Sequence, residues 1–340
     1  MRKNVSSLLV VTLSVMLVLV CCNVVRAQEI RVVSYNIENW RKRFDARPLA
    51  AWAKTQQRSE ELTELIKDRR NTNDKENWFA ASVLLNPEVN GDVVVFQEGC
   101  NQDDLNYFNK RWLNNAYETA KVFASNTNRD QHIGILIKPG FKIIKVQNDY
   151  YKELDTVSKS WLTKPGEPAP AENRLFARGP AFVLIEAPSG YQFWVGTNHN
   201  KSKADNSVDV SKWRLRESTR THQIIKELEK TGPSDVIFGG DLNDELGFQE
   251  FEQEAGGDAI AAMLGKPEDG LTLITKDIAD KGAISFGGYF RDRRRSFIDH
   301  FLVTTSMKPH IAGVSVYTKD FAPAASDHYP VVIRINPTAK

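Results

Sequence analysis

Short apolar runs alternate with polar, helix-forming stretches through most of the chain, and this pattern predicts an α/β fold. Glu29–Tyr35 is rich in β-branched residues and stops at Asn36, which predicts a strand. Asp92–Phe96, Ile133–Ile137 and Ala181–Ile185 are apolar at consecutive positions, as in strands buried on both faces. Tyr191–Thr197 follows the last of these across Ser189-Gly190, a hairpin signal. Asp235–Phe238, Phe297–Val303, Ile311–Tyr317 and Val331–Ile335 complete the expected strands. Helical spacing is present at Leu62, Leu65 and Ile66 within Glu60–Arg70. A long polar helix is expected over Lys212–Lys230, with Ile224, Ile225 and Leu228 on its apolar side. Four Pro and Gly residues (Pro165, Gly166, Pro168, Pro170) make Thr163–Ala171 a loop. Repeats and interdomain linkers are not evident, so a single domain is expected over residues 28–340.

The N-terminus follows a different pattern. Arg2 and Lys3 precede Leu8–Val20, an apolar run broken only by Thr12 and Ser14, and Val25-Arg26-Ala27 offers small residues for cleavage. This predicts a secretory signal over residues 1–27 and a secreted or periplasmic protein. The run is short for a membrane span, which needs about 20 apolar residues. Val18-Leu19-Val20 lacks the small residue expected before a lipidated Cys21 or Cys22. Cleavage removes Arg2, Lys3 and Arg26 but no acid, so the whole-chain excess of 45 basic over 43 acidic residues disappears. A globally basic nucleic-acid coat is thereby excluded. Cys100 becomes the lone cysteine, so no intramolecular disulfide can form. With 41% hydrophobic and 26% charged residues, the chain is neither wholly disordered nor a coiled coil.

Chemically capable residues gather at the ends of the expected strands. Tyr35-Asn36-Ile37-Glu38-Asn39 closes the first, Gln97-Glu98 the second and Thr197-Asn198-His199-Asn200-Lys201-Ser202 the hairpin. Gly239-Gly240-Asp241-Leu242-Asn243-Asp244 ends another strand, Ile298-Asp299-His300 opens one, and Ser326-Asp327-His328-Tyr329-Pro330 precedes the last. Taken singly, each suits a turn or a cap. Together they offer oxygen ligands for a hard cation and a His–carboxylate pair, gathered where open α/β sheets place their ligands.

In order along the chain, Ser34-Tyr35-Asn36, Gln97-Glu98, Asn198-His199, Gly240-Asp241-Leu242-Asn243-Asp244, Ile298-Asp299 and Ser326-Asp327-His328-Tyr329-Pro330 resemble the endonuclease/exonuclease/phosphatase superfamily. That group includes pancreatic-type DNase, exonuclease III-like repair enzymes, neutral sphingomyelinases and inositol polyphosphate phosphatases. Asn36-Ile37-Glu38-Asn39 and Asn198-His199-Asn200-Lys201-Ser202 are similar to exported bacterial members. The resemblance implies a four-layer sandwich, two mixed β-sheets packed face to face with helices outside. It also implies phosphate-ester hydrolysis by in-line water attack with Mg²⁺, Mn²⁺ and Ca²⁺ being the other candidates. On that basis Glu98 binds the metal with Asn36 beside it and Asp327 nearby. Asp241 activates the attacking water, and Asn243 positions water and phosphate. His328, paired with Asp299, and His199 contact the scissile phosphate.

Lys201, Lys203, Arg178 and the run Arg291, Arg293, Arg294, Arg295 are candidate phosphate contacts, since arginine forks suit polyanions. Glu38 either joins the metal shell or faces solvent. His222 and His310 are expected to be structural, His132 and His300 have no assigned role, and Cys100 is expected to pack. The chain lacks a Gly-X-Ser-X-Gly elbow, a Walker loop and paired Cys-X-X-Cys motifs. A secreted nuclease acting on a nucleic acid or other phosphodiester is therefore expected, with no stable membrane span after cleavage and no protein partner. A sphingomyelinase-like lipid phosphodiesterase and an inositol or sugar phosphatase are the alternatives. A non-catalytic binding module is a further one, opposed by the presence of Glu98, Asp241, Asp299 and His328 together.

Overall fold

A computed structural model describes residues 29–38, 40, 72–127, 131–159, 173–203, 207–247, 250–287 and 295–338. The expected leader, the helix at Glu60–Arg70, the loop at Thr163–Ala171, and Arg291, Arg293 and Arg294 lie outside the described residues. In chain order the strands are β1 (Ile30–Asn36), β2 (Val93–Gly99), β3 (Thr119–Val122), β4 (His132–Ile137), β5 (Lys142–Gln147) and β6 (Ala181–Glu186). They continue with β7 (Gln192–His199), β8 (Val236–Asp241), β9 (Thr272–Leu273), β10 (Asp299–Val303), β11 (Ile311–Val316) and β12 (Val331–Ile335). The main helices are α1 (Thr72–Leu84), α2 (Gln102–Arg111) and α3 (Val208–Thr231), followed by the short α4 (Glu250–Ala255) and α5 (Ala259–Leu264).

Two six-stranded sheets result among the described residues, with orders β11-β12-β1-β2-β4-β3 and β5-β6-β7-β8-β10-β9. Each carries one parallel pair near its middle, β1 with β2 and β7 with β8, in otherwise antiparallel surroundings. Strand alternation sorts the side chains into layers. Val32, Val93, Val95, Ile135, Val183, Val195, Ile237, Phe301 and Ile333 interleave between the sheets. Val33, Tyr35, Val94 and Phe96 pack outward against Phe79, Val83, Leu105 and Phe108 of α1 and α2. On the other side Phe182, Trp194, Val236 and Phe238 meet Ile224, Ile225 and Leu228 of α3 and Ile260 and Met263 of α5. The helix–sheet–sheet–helix sandwich is the architecture expected, and no helix among the described residues is long and apolar enough to cross a membrane.

Several elements differ in extent from the sequence pattern. The strand expected to end at Phe238 continues through Gly239-Gly240 to Asp241, because β10 and β7 pair with it on both sides up to that residue. β10 starts at Asp299 rather than Phe297. The long helix begins earlier, at Val208, where the Ser207 hydroxyl accepts from the Val210 N–H and caps it. β3, β5, α1 and α2 were not expected at all.

Candidate active site

Along the central strands the inward positions are apolar at one end and polar at the other. In β1, Ile30 and Val32 give way to Ser34 and Asn36; in β2, Val93 and Val95 give way to Gln97. Val195 of β7 is followed by Thr197 and His199, Ile237 of β8 leads to Asp241, and Phe301 of β10 is preceded by Asp299. Gln97 Nε2 donates to Ser34 Oγ at 3.2 Å and, across the sandwich, to Thr197 Oγ1 at 2.9 Å. This buried polar layer joins the two sheets and forms the floor of a site.

Register then sets its walls. His199, Asp241 and Asp299 stand abreast on β7, β8 and β10. Asn36 lies opposite them on β1, and its Nδ2 donates to Asp241 Oδ2 at 2.9 Å. Its Oδ1 accepts the Glu38 N–H at 2.8 Å, which fixes the amide's orientation. His328 completes the group from the loop before β12. Ser326 Oγ donates to the Asn36 carbonyl at 2.7 Å and accepts the His328 N–H at 3.0 Å, while Phe286 packs 4.9 Å from the imidazole. His328 Nδ1 meets Asp299 Oδ2 at 2.8 Å, which leaves Nε2 turned toward Asp241 Oδ2 at 3.8 Å.

Glu98 reaches the site by a backbone irregularity. Strict alternation would send it outward with Phe96, but the β2–β4 register slips between Phe96 and Gly99, and Glu98 adopts φ 53°. The bulge re-aims the side chain, so that Oε1 lies 3.7 Å from His199 Nε2. Glu38 (φ 47°) and Asn243 (φ 52°) are also left-handed, a conformation non-glycine residues adopt where surroundings enforce it. At Asn243 the cause is visible: its N–H donates to Asp241 Oδ1 at 2.9 Å, and its Nδ2 to the Asn200 carbonyl at 3.1 Å.

Burial and neighbouring charge separate the titrating groups. Asp241 is pushed up to about 7, first by burial and then by Asp299 and Glu98, against the pull of His328 and Asn36. For His328 burial acts downward, but the Asp299 and Asp241 carboxylates outweigh it and hold the imidazole well above its ordinary value. His199 moves the opposite way, well below, through burial and the positive Arg178, His328 and Lys201. One histidine is therefore charged at neutral pH and the other neutral.

The donor set fits a hard divalent cation. Asp241, Asp299 and His328 each bring a ligand atom within 4.8 Å of the others. Asp299 Oδ1 is buried without a hydrogen-bond partner, and Glu98 adds a carboxylate oxygen 3.7 Å from His199 Nε2. Beyond burial, the Asp299 and Glu98 charges add to the rise of Asp241, and a cation would offset that part of it.

The remaining expected residues fall at varied places. Asp327 lies beside the histidine, its Oδ1 4.0 Å from His328 Nε2 and its N–H donating to Glu38 Oε2 at 3.3 Å. Glu38 is buried, which corrects its solvent-facing reading. Asn36, expected to face a metal, turns its N–H₂ to Asp241 instead. Arg178 and Lys201 are half-buried on the His199 side. Lys203 ion-pairs with Asp244 and Glu252. Arg295 is exposed and lines a separate cavity of about 270 Å³ with Lys276 and Phe297. Its partner in the expected set, Arg294, lies outside the described residues. His300 is structural: Nε2 meets the Asp244 carbonyl at 3.0 Å and Nδ1 the Thr275 hydroxyl at 3.1 Å. Ser326 and Glu217 were missed, and only the Ser-X-His spacing at 326–328 hinted at the first.

A four-layer sandwich with buried carboxylates and histidines at one end of its central strands defines a class of phosphoester hydrolases. A model of the endonuclease/exonuclease/phosphatase family matches residues 33–328, and the chain belongs to that family. Among solved structures, D. rerio TDP2 complexed with a single-strand DNA product is 15% identical, covers 91% of this chain and 99% of its own, and superposes with a TM-score of 0.53. Truncated Caenorhabditis elegans TDP2 is 16% identical over 92% and 99%, with a TM-score of 0.52. A mannosyl-6-phosphatase from Bacteroides thetaiotaomicron is 17% identical over 89% and 98%, with a TM-score of 0.55. At these identities the likeness is one of fold. No curated protein matches the sequence.

Proposed function

We propose that the chain is an exported, divalent-cation-dependent phosphodiesterase whose substrate is a nucleic acid. The observation that carries this reading is the convergence of Asp241, the His328–Asp299 pair and Glu98 on one buried site shared by both sheets. Asp241, poised near neutrality, takes a proton from the attacking water, whose oxygen forms the new bond to phosphorus. The ester P–O bond opposite breaks, and the leaving oxygen takes a proton from His328 Nε2. Asp299 holds Nδ1–H and keeps the ring charged until that transfer. Neutral His199 faces Asp241 and Glu98 and contacts the phosphate without adding positive charge, while Asn243 fixes the Asp241 carboxylate through its N–H. Arg178 and Lys201 meet the phosphate backbone. Glu98, with Asn36 and Asp327 close by, would hold Mg²⁺, which would supply Lewis-acid polarisation of a phosphoryl oxygen.

The test is digestion of supercoiled plasmid by residues 28–340, with Mg²⁺ or with EDTA, beside His328→Ala. Metal-dependent nicking lost in the variant is the expected result. An inert wild type removes DNA as substrate, and choline phosphodiesters and phosphate monoesters then test the same chemistry. A phosphomonoesterase is the second reading, favoured by the likeness to the mannosyl-6-phosphatase.

A further inference from the structure

We infer that Glu217 is a positioning residue that sets the spacing of the two loops carrying Arg178 and Lys201. It does so through one backbone hydrogen bond to each loop. This inference rests on the phosphodiester reading for the role of those two cations, but the clamp itself does not.

The N-terminal half of α3 carries a buried polar stripe, Ser211, Arg214, Glu217, Ser218 and Thr221, spaced for one face. Each member that contacts a neighbour contacts the site's loops or its own helix. Arg214 Nε lies 3.7 Å from Asp244 Oδ2, in the loop after β8, and Ser218 Oγ accepts from Asn200 Nδ2 at 3.2 Å. Glu217 does more. Its Oε1 accepts the Ala177 N–H at 2.6 Å, and its Oε2 accepts the Lys201 N–H at 2.8 Å. Ala177 belongs to the segment entering β6, and Lys201 follows β7, so one side chain ties together two loops from different strand ends.

A carboxylate is the only side-chain group with two acceptor oxygens and no donor. A glutamine would satisfy one loop and set its own N–H₂ against the N–H of the other. Burial makes the arrangement costly, pushing the Glu217 carboxyl up to about 7 against the pull of the two N–H groups, Arg178 and Lys159. Retaining a buried acid at such a cost is reasonable where two donors must be held at a fixed separation.

Two readings of Glu217→Gln test the inference. On DNA with Mg²⁺, KM should rise about tenfold, the worth of one hydrogen bond to a charged group, with kcat within about twofold. In an Arg178→Ala/Lys201→Ala background the same change should leave KM where it is, because the loops no longer carry the cations. An equal KM effect in that background, or a loss confined to kcat, overturns the inference. Amide exchange reads the clamp without any substrate. The Ala177 and Lys201 amides should be protected in the wild type, and at least one should exchange faster in Glu217→Gln while β7 amides do not change. Unprotected amides in the wild type refute the clamp even if the variant fails to fold. A wild type inert on DNA but protected at both positions would sink only the nuclease reading.

Discussion

His328 stands between two carboxylates that do different work: Asp299 is bonded to one ring nitrogen, and Asp241 faces the other. Asp299→Asn keeps the shape but removes the charge that holds the ring protonated. Its imidazole pKa therefore falls, and the descending limb of the pH–rate profile should move to lower pH. Activity at neutral pH should drop about 10²–10⁴-fold, the usual range for a disabled general acid; pH–kcat/KM profiles of both enzymes check this. Glu217 bears on stability. Its folded value of about 7 exceeds the ordinary glutamate value of 4.5, so between those two pH values the folded state keeps a proton that the unfolded chain has lost. Stability should fall as pH rises from about 4.5 to about 7, by on the order of 3 kcal/mol from this group, and level off above. Urea unfolding at pH 5 and 7.5 should give a smaller difference for Glu217→Gln than for the wild type. An equal difference would mean the carboxyl titrates as it does in the unfolded chain.

At the scale of elements, β7 and β8 approach so closely at their site ends that a Cβ on Gly240 would lie 2.2 Å from the Asn198 carbonyl oxygen. That neighbour is backbone and cannot swing aside. Gly240→Ala should cost about 1–3 kcal/mol and, by moving Asp241 next door, reduce kcat; thermal melts and steady-state rates report the two effects. The same elements explain what the sequence could and could not reveal. Asp241, Asp299 and His328 were legible because contiguous motifs carry them at the ends of strands with clear apolar runs. The aim of Glu98 was not, since alternation points it outward and only the bulge in β2 turns it inward. β3 and β5 are outer strands whose residues are half-buried or exposed, so neither carries an extended apolar run in the sequence. The first half of α3 is polar in sequence yet partly buried. Nothing in its composition says that Arg214 and Glu217 face buried loops rather than water.

For the molecule as a whole, the site exists only where the two sheets meet. Asn36 and Glu98 come from one, His199, Asp241 and Asp299 from the other. A cation held between them should stabilise the native packing, by about 2.7 kcal/mol at a hundred times its dissociation constant. Mg²⁺ should therefore raise Tm, EDTA should reverse it, and Glu98→Gln should blunt the rise. Residues that meet in the site are also far apart in the chain. Asn36 and His328, whose side chains approach to 3.4 Å, are 292 positions apart. Synthesis proceeds from the N-terminus, so both sheets' carboxylates leave the ribosome before the histidine that completes them. Until Ser326–Tyr329 and β12 dock, Asp299 has no imidazole to hold and Asp241 has no proton donor opposite it. A nascent chain, or one terminated before residue 326, thus carries the acids without the imidazole that pairs with Asp299. On the nuclease reading proposed above, that order of assembly would keep the acids idle for as long as the message is being read.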